Sequence, residues 1–524
     1  MDFRAGVTAV LVLLTTPVTA QQLVVATPLQ ASIAAAASEA PEIVAFYRDR
    51  AFEPIWLGPE AAERRAALAD ALTVAMAHGL PVTRYDPAVL RRAFAEADES
   101  AEIGKVEVET TELLLQLARD ASSGVIDPAE VDGLIRVEPV RPDATRILAA
   151  FVGSDPRAVL RGVWPSSPAY LRSLREKLRL ESLLRRGGWG PAAGANPLRP
   201  GDTGPDVILL RDRLVRMEYL SPTPSASYDT ALTAAVRSFQ ENHGLLPDGT
   251  AGEATLRAIN VPVEERIAQL VVTLERLRWT NRPLELRHVL VNLAEQRAYV
   301  VDDGTVTFST GVVVGANTPE RRTPEFSETM THMVINPSWY VPRSIAVGEY
   351  LPALRKGGAR HLEIHSSKGR VDPSRVDWSR IDASSFPFSL RQAPGPSNAL
   401  GRVKFMFPNP LNIYLHDTPA RDLFAREIRT FSHGCVRVER PLELAYHLLA
   451  PQTETPREDF DAALASGRER RVDLEEPIGV HLVYWNAWVG PDGRAQYRND
   501  PYGRDARLRQ LLSEAGVELT LHPS

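Results

Sequence analysis

Apolar residues recur at three- and four-residue intervals along the first third of the chain. The stretches 66–77 and 110–120 show this spacing, which predicts helices because side chains three and four positions apart share one helix face. We therefore predict a helical domain over residues 31–186 that carries no chemistry of its own. Its aromatic residues, such as Tyr47 and Trp56, are expected to be core residues.

A second helical pattern follows a segment at 187–200 that is rich in Gly, Pro and Ala and predicts a linker. Residues 198–261 contain three short helical patterns, with a Leu-Pro-Asp-Gly turn between the second and the third. These signals predict a compact three-helix module. A further apolar pattern at 263–279 predicts a helix that joins the module to the next domain.

Past residue 285 the period of the apolar residues changes from about 3.6 to 2. Val289, Val291 and Leu293 alternate with other residues, and Asp-Asp-Gly at 302–304 predicts a hairpin turn. We therefore predict a mostly-β domain over residues 285–490, with helices at its edge.

Three later segments refine the prediction. The strand pattern breaks down at about 339–396, which is too long for an ordinary connection and predicts a functional insertion or lid. The β-type run 480–489 is expected to rejoin the core sheet. The tail 491–524 is expected to carry a charged surface helix within 500–512. The fold class is therefore multidomain α+β.

Composition and charge exclude some classes of partner. The chain has 524 residues, of which 44% are hydrophobic and 24% charged, and its net charge is −6. These values are typical of a globular protein with several domains. Since no block of Lys and Arg marks a nucleic-acid surface, we expect no nucleic-acid partner.

The first twenty residues have the features of an export signal. Arg4 precedes an apolar run at 7–14, and Val-Thr-Ala at 18–20 is a small-residue cleavage site. We predict a cleaved signal peptide over residues 1–20 and a periplasmic location, with an uncleaved anchor as the alternative. No other segment approaches the ~20 apolar residues of a bilayer span, so we expect no transmembrane span in the mature form.

The only cysteine of the chain is Cys435, which ends the sequence Ser432-His433-Gly434-Cys435. Three interpretations are open: a buried small hydrophobe, a metal site with His433 and His416, and a catalytic nucleophile. A structural zinc site normally has four ligands, and the sequence has no second ligand cluster, so we predict neither a metal nor a cofactor. The polar neighbours favour the catalytic thiol, as does predicted export, because an oxidising compartment disfavours an idle unpaired thiol.

These residues resemble the signature of a known family. His416, followed after a spacer by SHGCVR at 432–437, is similar to the L,D-transpeptidase (YkuD-type) catalytic domain. The segment 390–419 resembles the large periplasmic members, which carry a scaffold domain and a peptidoglycan-binding module. The sequence FYRDRAFEPIWL at 46–57 resembles that scaffold domain, and the pattern within 198–261 is similar to the three-helix module.

The resemblance implies the substrate. Family members take a tetrapeptide stem of peptidoglycan as donor, release its terminal D-Ala and form a thioester on cysteine. They then join the acyl group to the diaminopimelate amine of a second stem, which gives a 3→3 cross-link in cell wall biogenesis. Acylation by carbapenem-type β-lactams is implied in the same way, and so is a capping subdomain formed by the insertion at about 339–396.

The predicted mechanism uses an activated thiol. Cys435 attacks the donor amide, and His416 accepts the thiol proton, which leaves a thiolate–imidazolium pair. Asp417 is predicted to orient His416 through a carbonyl or a carboxylate, and the backbone N–H of Gly434 to bind the oxyanion. His433 is the rival base, but neighbours along a strand point to opposite sides, so we assign it a secondary role.

Four residues are candidates for substrate contact. Tyr414 shares a strand face with His416 and contacts the donor peptide in this hypothesis, with a core position as the alternative. The guanidinium of Arg437 suits a substrate carboxylate, with a solvent-facing position as the alternative. Ser432 and Trp339 complete the set, Trp339 as a surface for stacking.

Two other classes of function stay open at this point. A cysteine peptidase or amidase would use the same residues on stem peptides but deliver water to the thioester. A non-catalytic wall-binding protein would keep its binding when Cys435 is replaced. Product analysis with a labelled acceptor amine separates the first class from a transpeptidase.

Overall fold

The computed structural model describes residues 26–519, so the predicted signal peptide lies outside the described residues. The N-terminal part is helical, as predicted. Several helices begin at a side chain that accepts a hydrogen bond from the first turn, for example Thr27, Asp143 and Ser167. The helices are Pro28–Ala36 (α1), Pro41–Asp49 (α2), Ala61–Ala75 (α3), Pro87–Glu96 (α4), Ser100–Ser123 (α5), Pro128–Val131 (α6), Ala144–Gly153 (α7), Pro156–Gly162 (α8) and Pro168–Arg185 (α9).

The described residues divide into two compact units. The first comprises those up to Arg65 together with Ala88–Leu114, and the second comprises Ala66–Pro87 and the chain from Leu115 onward.

The first unit is built around a buried carboxylate. Glu107 is fully buried and accepts hydrogen bonds from the Tyr47 hydroxyl at 2.9 Å and from the Trp56 N–H at 3.1 Å. Burial raises the pKa of Glu107, and the hydrogen bonds from Ile55 and Trp56 oppose that rise. Tyr47 and Trp56 are themselves fully buried, so the prediction that they are core residues is confirmed.

The predicted three-helix module forms within the second unit. Asp229 caps its second helix by accepting the N–H of Leu232 at 2.8 Å, and apolar residues such as Leu210, Leu214 and Phe239 fill its core. The helices of this part are Pro205–Arg216 (α10), Thr230–Asn242 (α11), Glu253–Ile259 (α12) and Val263–Trp279 (α13).

Helix α13 has the predicted bounds but not the predicted setting. Most of its residues are buried, charged ones included, so it is a central helix and not a simple connection. Glu275 and Arg278 form an ion pair at 2.8 Å in which both side chains are 0% exposed. Arg276 pairs with Glu325 at 3.1 Å and with Asp505 at 2.8 Å. An amphipathic pattern does not reveal such buried partners.

The mostly-β domain starts with four strands. Residues 302–305 make the predicted hairpin turn between the second and the third, with Gly304 at φ +76°. The strands are Arg287–Asn292 (β1), Arg297–Asp302 (β2), Thr305–Gly315 (β3) and Phe326–Ile335 (β4).

The insertion is more ordered than the sequence pattern suggested. It forms its own four-stranded sheet over a separate apolar cluster that includes Leu351, Ile364, Trp378 and Leu390. Strands of two to four residues are too short to show a period, which is why the sequence pattern missed them. The elements are Trp339–Tyr340 (β5), Arg343–Ile345 (α14), the π-helical turn Ala346–Tyr350, Leu351–Arg355 (α15), Glu363–Ser366 (β6), Gly369–Val371 (β7) and Ser389–Gln392 (β8).

The chain then returns to the main sheet. The elements are Val403–Met406 (β9), Leu415–His416 (β10), Thr430–Ser432 (β11), Val436–Val438 (β12), Pro441–Leu449 (α16), Pro456–Ala465 (α17) and Arg470–Val483 (β13). Nine strands pair in the order β11-β3-β12-β10-β9-β4-β13-β1-β2, and β2 also pairs with β3, so the sheet curls back on itself. Its enclosed face carries the apolar core.

Two predictions about the C-terminal part need correction. The β-type run 480–489 divides: β13 joins the main sheet, whereas Ala487–Val489 (β14) pairs with Ala495–Tyr497 (β15) in a separate hairpin. The tail helix Arg504–Glu514 (α18) forms as predicted but is docked rather than on the surface. Arg504 is 1% exposed and pairs with Asp132 at 2.9 Å and with Glu325 at 3.0 Å.

Candidate active site

Strand pairing brings the two chemistry-bearing segments side by side. β10 and β12 are parallel neighbours in which Leu415 pairs with Val436 and His416 pairs with Arg437. Leu415 and Val436 are fully buried in the apolar core. Since successive residues of a strand face opposite sides, His416 and Arg437 face away from that core.

The same alternation places Tyr414 and Cys435 beside them. The strand ladder continues to this pair, because the N–H of Val436 donates to the carbonyl of Tyr414 at 3.1 Å. The rings of Tyr414 and His416 are 5.7 Å apart. Tyr414, His416, Cys435 and Arg437 therefore form a square of side chains on one face of the sheet, which we call the cysteine cluster.

His416 and Cys435 occupy one diagonal of the cysteine cluster. Diagonal neighbours on adjacent strands are roughly 7–8 Å apart at their Cα atoms, a gap that an imidazole and a thiol on one face can close. The register of β10 and β12 thus places two residues that are well separated in sequence at diagonal positions on adjacent strands. Their catalytic roles stay predictions.

The surroundings of Cys435 favour the protonated form of its thiol at neutral pH. The residue is half-buried, and its Sγ lies 3.6 Å from the carbonyl oxygen of Asn412. Burial raises the pKa of the thiol to about 11, although hydrogen bonds from Tyr414 and the charge of Arg437 act in the opposite direction.

His416 has the protonation state that a base requires. It is 5% exposed, and its Nδ1 lies 2.5 Å from the backbone carbonyl of Asp417. Because a carbonyl only accepts hydrogen bonds, Nδ1 carries the proton and Nε2 is left as an acceptor. Burial, helped by the positive charges of Arg437 and Lys404, lowers the pKa of His416 to about 3. Both shifts favour a neutral thiol and a neutral imidazole at rest, and the thiolate–imidazolium pair formed by proton transfer stays a prediction.

Asp417 contacts His416 through its carbonyl, the first of the two options that the sequence left open. Its carboxylate accepts the backbone N–H groups of Arg402 at 2.9 Å and Thr418 at 2.7 Å. Gly401, at φ +61°, makes room for this carboxylate, because a Cβ there would lie 2.4 Å from it. The carboxylate therefore stabilises the turn next to His416 through backbone N–H groups.

The loop before Cys435 is fixed by hydrogen bonds of its own. Gly434 has φ +111°, a conformation that favours glycine. The Ser432 hydroxyl donates to the Cys435 carbonyl at 2.5 Å and accepts the Gly434 N–H at 3.2 Å. Thr323, which the sequence did not single out, donates to the Gly434 carbonyl at 2.8 Å. The Gly434 N–H can therefore bind an oxyanion only when its hydrogen bond to the Ser432 hydroxyl is broken. The predicted roles of Gly434 and Ser432 stay predictions.

His433 is directed toward the insertion. Its Nε2 lies 2.6 Å from a carboxylate oxygen of Glu349, which also pairs with Arg321 at 2.9 Å. Glu349 belongs to the π-helical turn, a conformation that often marks functional positions. The insertion thus contacts the loop that carries Cys435. Glu349 was missed, because a charged residue in an irregular segment gives no signal in sequence.

Arg437 carries an unused donor. Its Nε is buried and has no hydrogen-bond partner among residues 26–519. Lys404, on β9, pairs with His416 in the ladder and adds a second positive charge on this face. An anionic group of a substrate would accept a hydrogen bond from the Arg437 Nε and would neutralise the charge of Lys404.

Trp339 lies at the base of the insertion. It is 8% exposed, pairs with Gln392 in the small sheet and meets the Tyr350 ring edge-on at 6.0 Å. Little of its ring is left for stacking on a substrate, and that role stays a prediction. Between residues 26 and 519, no three His, Cys, Asp or Glu side chains are grouped to hold a metal ion. No helix of that range is both long and apolar enough to cross a bilayer.

Known families match three parts of the chain. The L,D-transpeptidase catalytic domain family, YkuD, matches residues 286–456. A family described as "Scaffold domain" matches residues 41–178, and one described as "Putative peptidoglycan binding domain" matches residues 203–259. The chain therefore contains a YkuD-type L,D-transpeptidase catalytic domain, preceded by regions that match a scaffold domain and a peptidoglycan-binding domain. The domain bounds predicted from the sequence stay predictions.

Individual proteins show the same likeness. A Haemophilus influenzae protein named "Putative L,D-transpeptidase" is 36% identical over 239 residues, which cover 44% of this chain and 47% of that protein. A solved L,D-transpeptidase from Xylanimonas cellulosilytica is 18% identical, with a TM-score of 0.17, and the likeness covers 56% of this chain and 99% of that one. One from Stackebrandtia nassauensis is 15% identical, with a TM-score of 0.21 and coverages of 56% and 96%.

Proposed function

We propose that this chain is a peptidoglycan L,D-transpeptidase that forms 3→3 cross-links between stem peptides through a thioester on Cys435. The observation that carries the proposal is the cysteine cluster. Within a YkuD-type domain, one sheet face presents a thiol, an imidazole with a free acceptor nitrogen and an unpaired guanidinium N–H.

Proton transfer accompanies the attack in this mechanism. As the Cys435 Sγ approaches the donor carbonyl, the thiol proton passes to Nε2 of His416 and the S–C bond forms. The imidazolium then protonates the leaving D-Ala amine as the C–N bond breaks, which leaves the thioester. The acceptor amine attacks the thioester, its proton returns through His416, and the thiol is restored.

Two features of the site favour this sequence. The imidazole is unprotonated at neutral pH, so its Nε2 lone pair is free to accept the thiol proton as the S–C bond forms. The positive charges of Arg437 and Lys404 face the region where the thiolate and the oxyanion develop, and in a partly buried site such charges stabilise the transition state.

The second substrate decides between transfer and hydrolysis. A thioester gives a cross-link only when an amine reaches it before water does. The contact between Glu349 and His433 places the insertion next to the loop of Cys435, and this supports a capping role in which the insertion limits access of water. Acylation of Cys435 by carbapenem-type β-lactams is expected from the same chemistry.

We also infer that the chain acts in the periplasm after export. The peptidoglycan-binding and catalytic domains support a location at the cell wall. The export signal and a role in cell shape are part of the proposal.

The test is the intact mass of the protein after incubation with a disaccharide-tetrapeptide. We expect an adduct of the donor acyl group, without the terminal D-Ala, on the wild type and none on Cys435→Ala. With a labelled acceptor amine in excess, the label is expected in a cross-linked product. An adduct on Cys435→Ala would refute the nucleophile, and complete conversion to free acid despite the acceptor would assign the site to a hydrolase.

A further inference from the structure

Two buried hydroxyl groups next to the loop that carries Cys435 form a closed set of hydrogen bonds. Thr323 is 0% exposed and Tyr502 is 2% exposed. The Thr323 hydroxyl accepts the N–H of Gly315 at 2.8 Å and donates to the carbonyl of Gly434 at 2.8 Å. The Tyr502 hydroxyl accepts the N–H of Thr323 at 3.3 Å and donates to the carbonyl of Gly315 at 2.7 Å. Each hydroxyl therefore uses its donor and also accepts.

The backbone around these hydroxyl groups is tightly packed. A Cβ on Gly315 would lie 1.9 Å from the carbonyl oxygen of Arg321 and 2.7 Å from the nitrogen of Thr323, so only glycine permits this approach. Gly434 is buried as well, and a buried carbonyl that loses its donor is unfavourable. The hydrogen bond from Thr323 therefore restrains the position of the Gly434 carbonyl.

Tyr502 is held by the C-terminal part of the chain. Its N–H donates to the hydroxyl of Tyr484 at 2.9 Å, and the two rings are stacked at 5.6 Å. Arg504, which is fixed by buried ion pairs, donates from Nη2 to the carbonyl of Thr323 at 3.1 Å. The match to the catalytic-domain family covers residues 286–456. Tyr502 is therefore supplied by a part of the chain outside that match.

The Gly434 carbonyl and the Cys435 N–H belong to one peptide unit. This unit is trans and planar, so its C=O and N–H point in opposite directions. When the Thr323 hydroxyl binds the carbonyl, it also sets the direction of the Cys435 N–H on the other side of the same unit. Backbone N–H groups stabilise a developing oxyanion best when their direction is fixed before the reaction.

We propose that Thr323 and Tyr502 are positioning residues, which hold the Gly434–Cys435 peptide unit in the orientation that acylation of Cys435 requires. The reaction in this proposal rests on the proposed function, whereas the holding of the loop does not. Both hydroxyl groups act through the backbone, because both are buried and engaged within the protein. The segment around Tyr502 is therefore part of the working site.

The first test is the single-turnover rate constant of thioester formation with the disaccharide-tetrapeptide, followed by intact mass. Thr323→Val keeps the shape but removes the hydroxyl, and we expect the rate constant at saturating donor to fall about ten- to hundredfold. Thr323→Ser keeps the hydroxyl and should stay within about threefold of the wild type. The donor concentration for half-maximal rate should change less than about threefold, since Thr323 does not contact the donor.

Tyr502→Phe removes the second hydroxyl and keeps the ring. We expect a decrease of about three- to tenfold in the same rate constant, because the Gly315 carbonyl and the Thr323 N–H lose their partner. A rate constant measured with excess donor does not depend on the fraction of protein that is folded. If Thr323→Val does not fold, Tyr502→Phe decides.

Two matched controls remove similar hydrogen bonds elsewhere. Thr273 is 3% exposed and donates to the carbonyl of Ala487 at 2.8 Å. Tyr228 is 2% exposed and donates to the carbonyl of Gly249 at 2.9 Å. Thr273→Val and Tyr228→Phe should each leave the acylation rate constant within about twofold, although they also lose a buried hydrogen bond.

The second test needs no substrate. Hydrogen–deuterium exchange of the peptide 430–438 reports on the loop, because the amides of Gly434 and Val436 are hydrogen-bonded there. Thr323→Val should accelerate exchange in this peptide at least about tenfold while peptides far from it keep their rates. Thr323→Ser should stay within about threefold, and Thr273→Val should leave this peptide unchanged.

Acylation of Thr323→Val at the wild-type rate would overturn the proposal, as would unchanged exchange at 430–438. Equal acceleration of exchange throughout the protein would also overturn it, because a residue with only a structural role behaves in this way. If the wild type forms no thioester, the proposed function fails, and the exchange data still decide whether Thr323 holds the loop. The two failures are therefore distinguishable.

Discussion

The structure predicts that Cys435 is unreactive toward simple electrophiles until a donor binds. The perturbation is a pH series of alkylation by iodoacetamide, on the wild type and on His416→Ala. Burial raises the thiol pKa from an ordinary value of 9.0 to about 11, and each step of one in pKa changes the thiolate fraction about tenfold at neutral pH. At pH 7 the thiolate is then about a hundredfold scarcer than in a small exposed thiol.

The alkylation rate should therefore be about a hundredfold below that of a small model thiol at pH 7 and should rise steadily to about pH 10. His416→Ala should leave this resting rate within about threefold, because an imidazole with a pKa of about 3 holds no thiol proton. The same variant should lose at least about a hundredfold in thioester formation, where the base is needed.

One result would refute the reasoning. A rate that is constant between about pH 5 and pH 8 in the wild type, and that loses this plateau in His416→Ala, is the behaviour of a thiolate–imidazolium pair. In that case burial would not be the largest influence on the pKa of the Cys435 thiol. Burial and the charges of Arg437 and Lys404 would not keep His416 unprotonated.

Three further variants test the fold and the site. Asp417→Asn should keep at least about a tenth of wild-type activity in steady-state kinetics, because the His416 imidazole contacts the Asp417 carbonyl and not its carboxylate. Loss of the carboxylate of a catalytic triad, in contrast, lowers kcat about 10⁴-fold. Gly401→Ala should cost about 1–3 kcal/mol in a denaturant titration, because its φ is +61° and its Cβ would meet the Asp417 carboxyl. Glu275→Gln should cost about 3–5 kcal/mol, because it leaves a buried guanidinium unpaired.

Each stability variant has a matched control. Gly493 also has a positive φ, +78°, but open space around it, so Gly493→Ala should cost clearly less than Gly401→Ala. Glu253 pairs with Arg257 at the surface, so Glu253→Gln should leave Tm unchanged. Equal costs within either pair would contradict the structural explanation, and a hundredfold loss of activity in Asp417→Asn would show that the carboxylate acts on His416.

Local patterns predicted the parts of the fold that local forces decide. The helix at 263–279 and the three module helices follow from apolar spacing and capping residues, and Cys435 stood out because it is unpaired. The four short strands of the insertion could not be predicted in this way, because each contains too few residues to display a period.

Residues that depend on register were out of reach of the sequence. Lys404 faces His416 only because β9 and β10 pair at that position, and Glu349 reaches His433 only through the fold of the insertion. The same limit explains why the burial of the tail helix was not predicted. Its Arg504 is buried because it forms ion pairs with Asp132 and Glu325.

The burial of α13 has a consequence for how such a chain evolves. Its Arg276 holds both Glu325 and Asp505, which lie far apart in sequence on either side of the cysteine cluster. Recombination that separates α13 from the sheet and the tail helix would leave Arg276 and Asp505 without these counter-charges, whereas Glu325 would keep Arg504. The segments resemble interchangeable modules in sequence, yet exchange of the module together with this helix requires matching changes at distant positions. Recombination at that boundary is therefore expected to yield few viable hybrids.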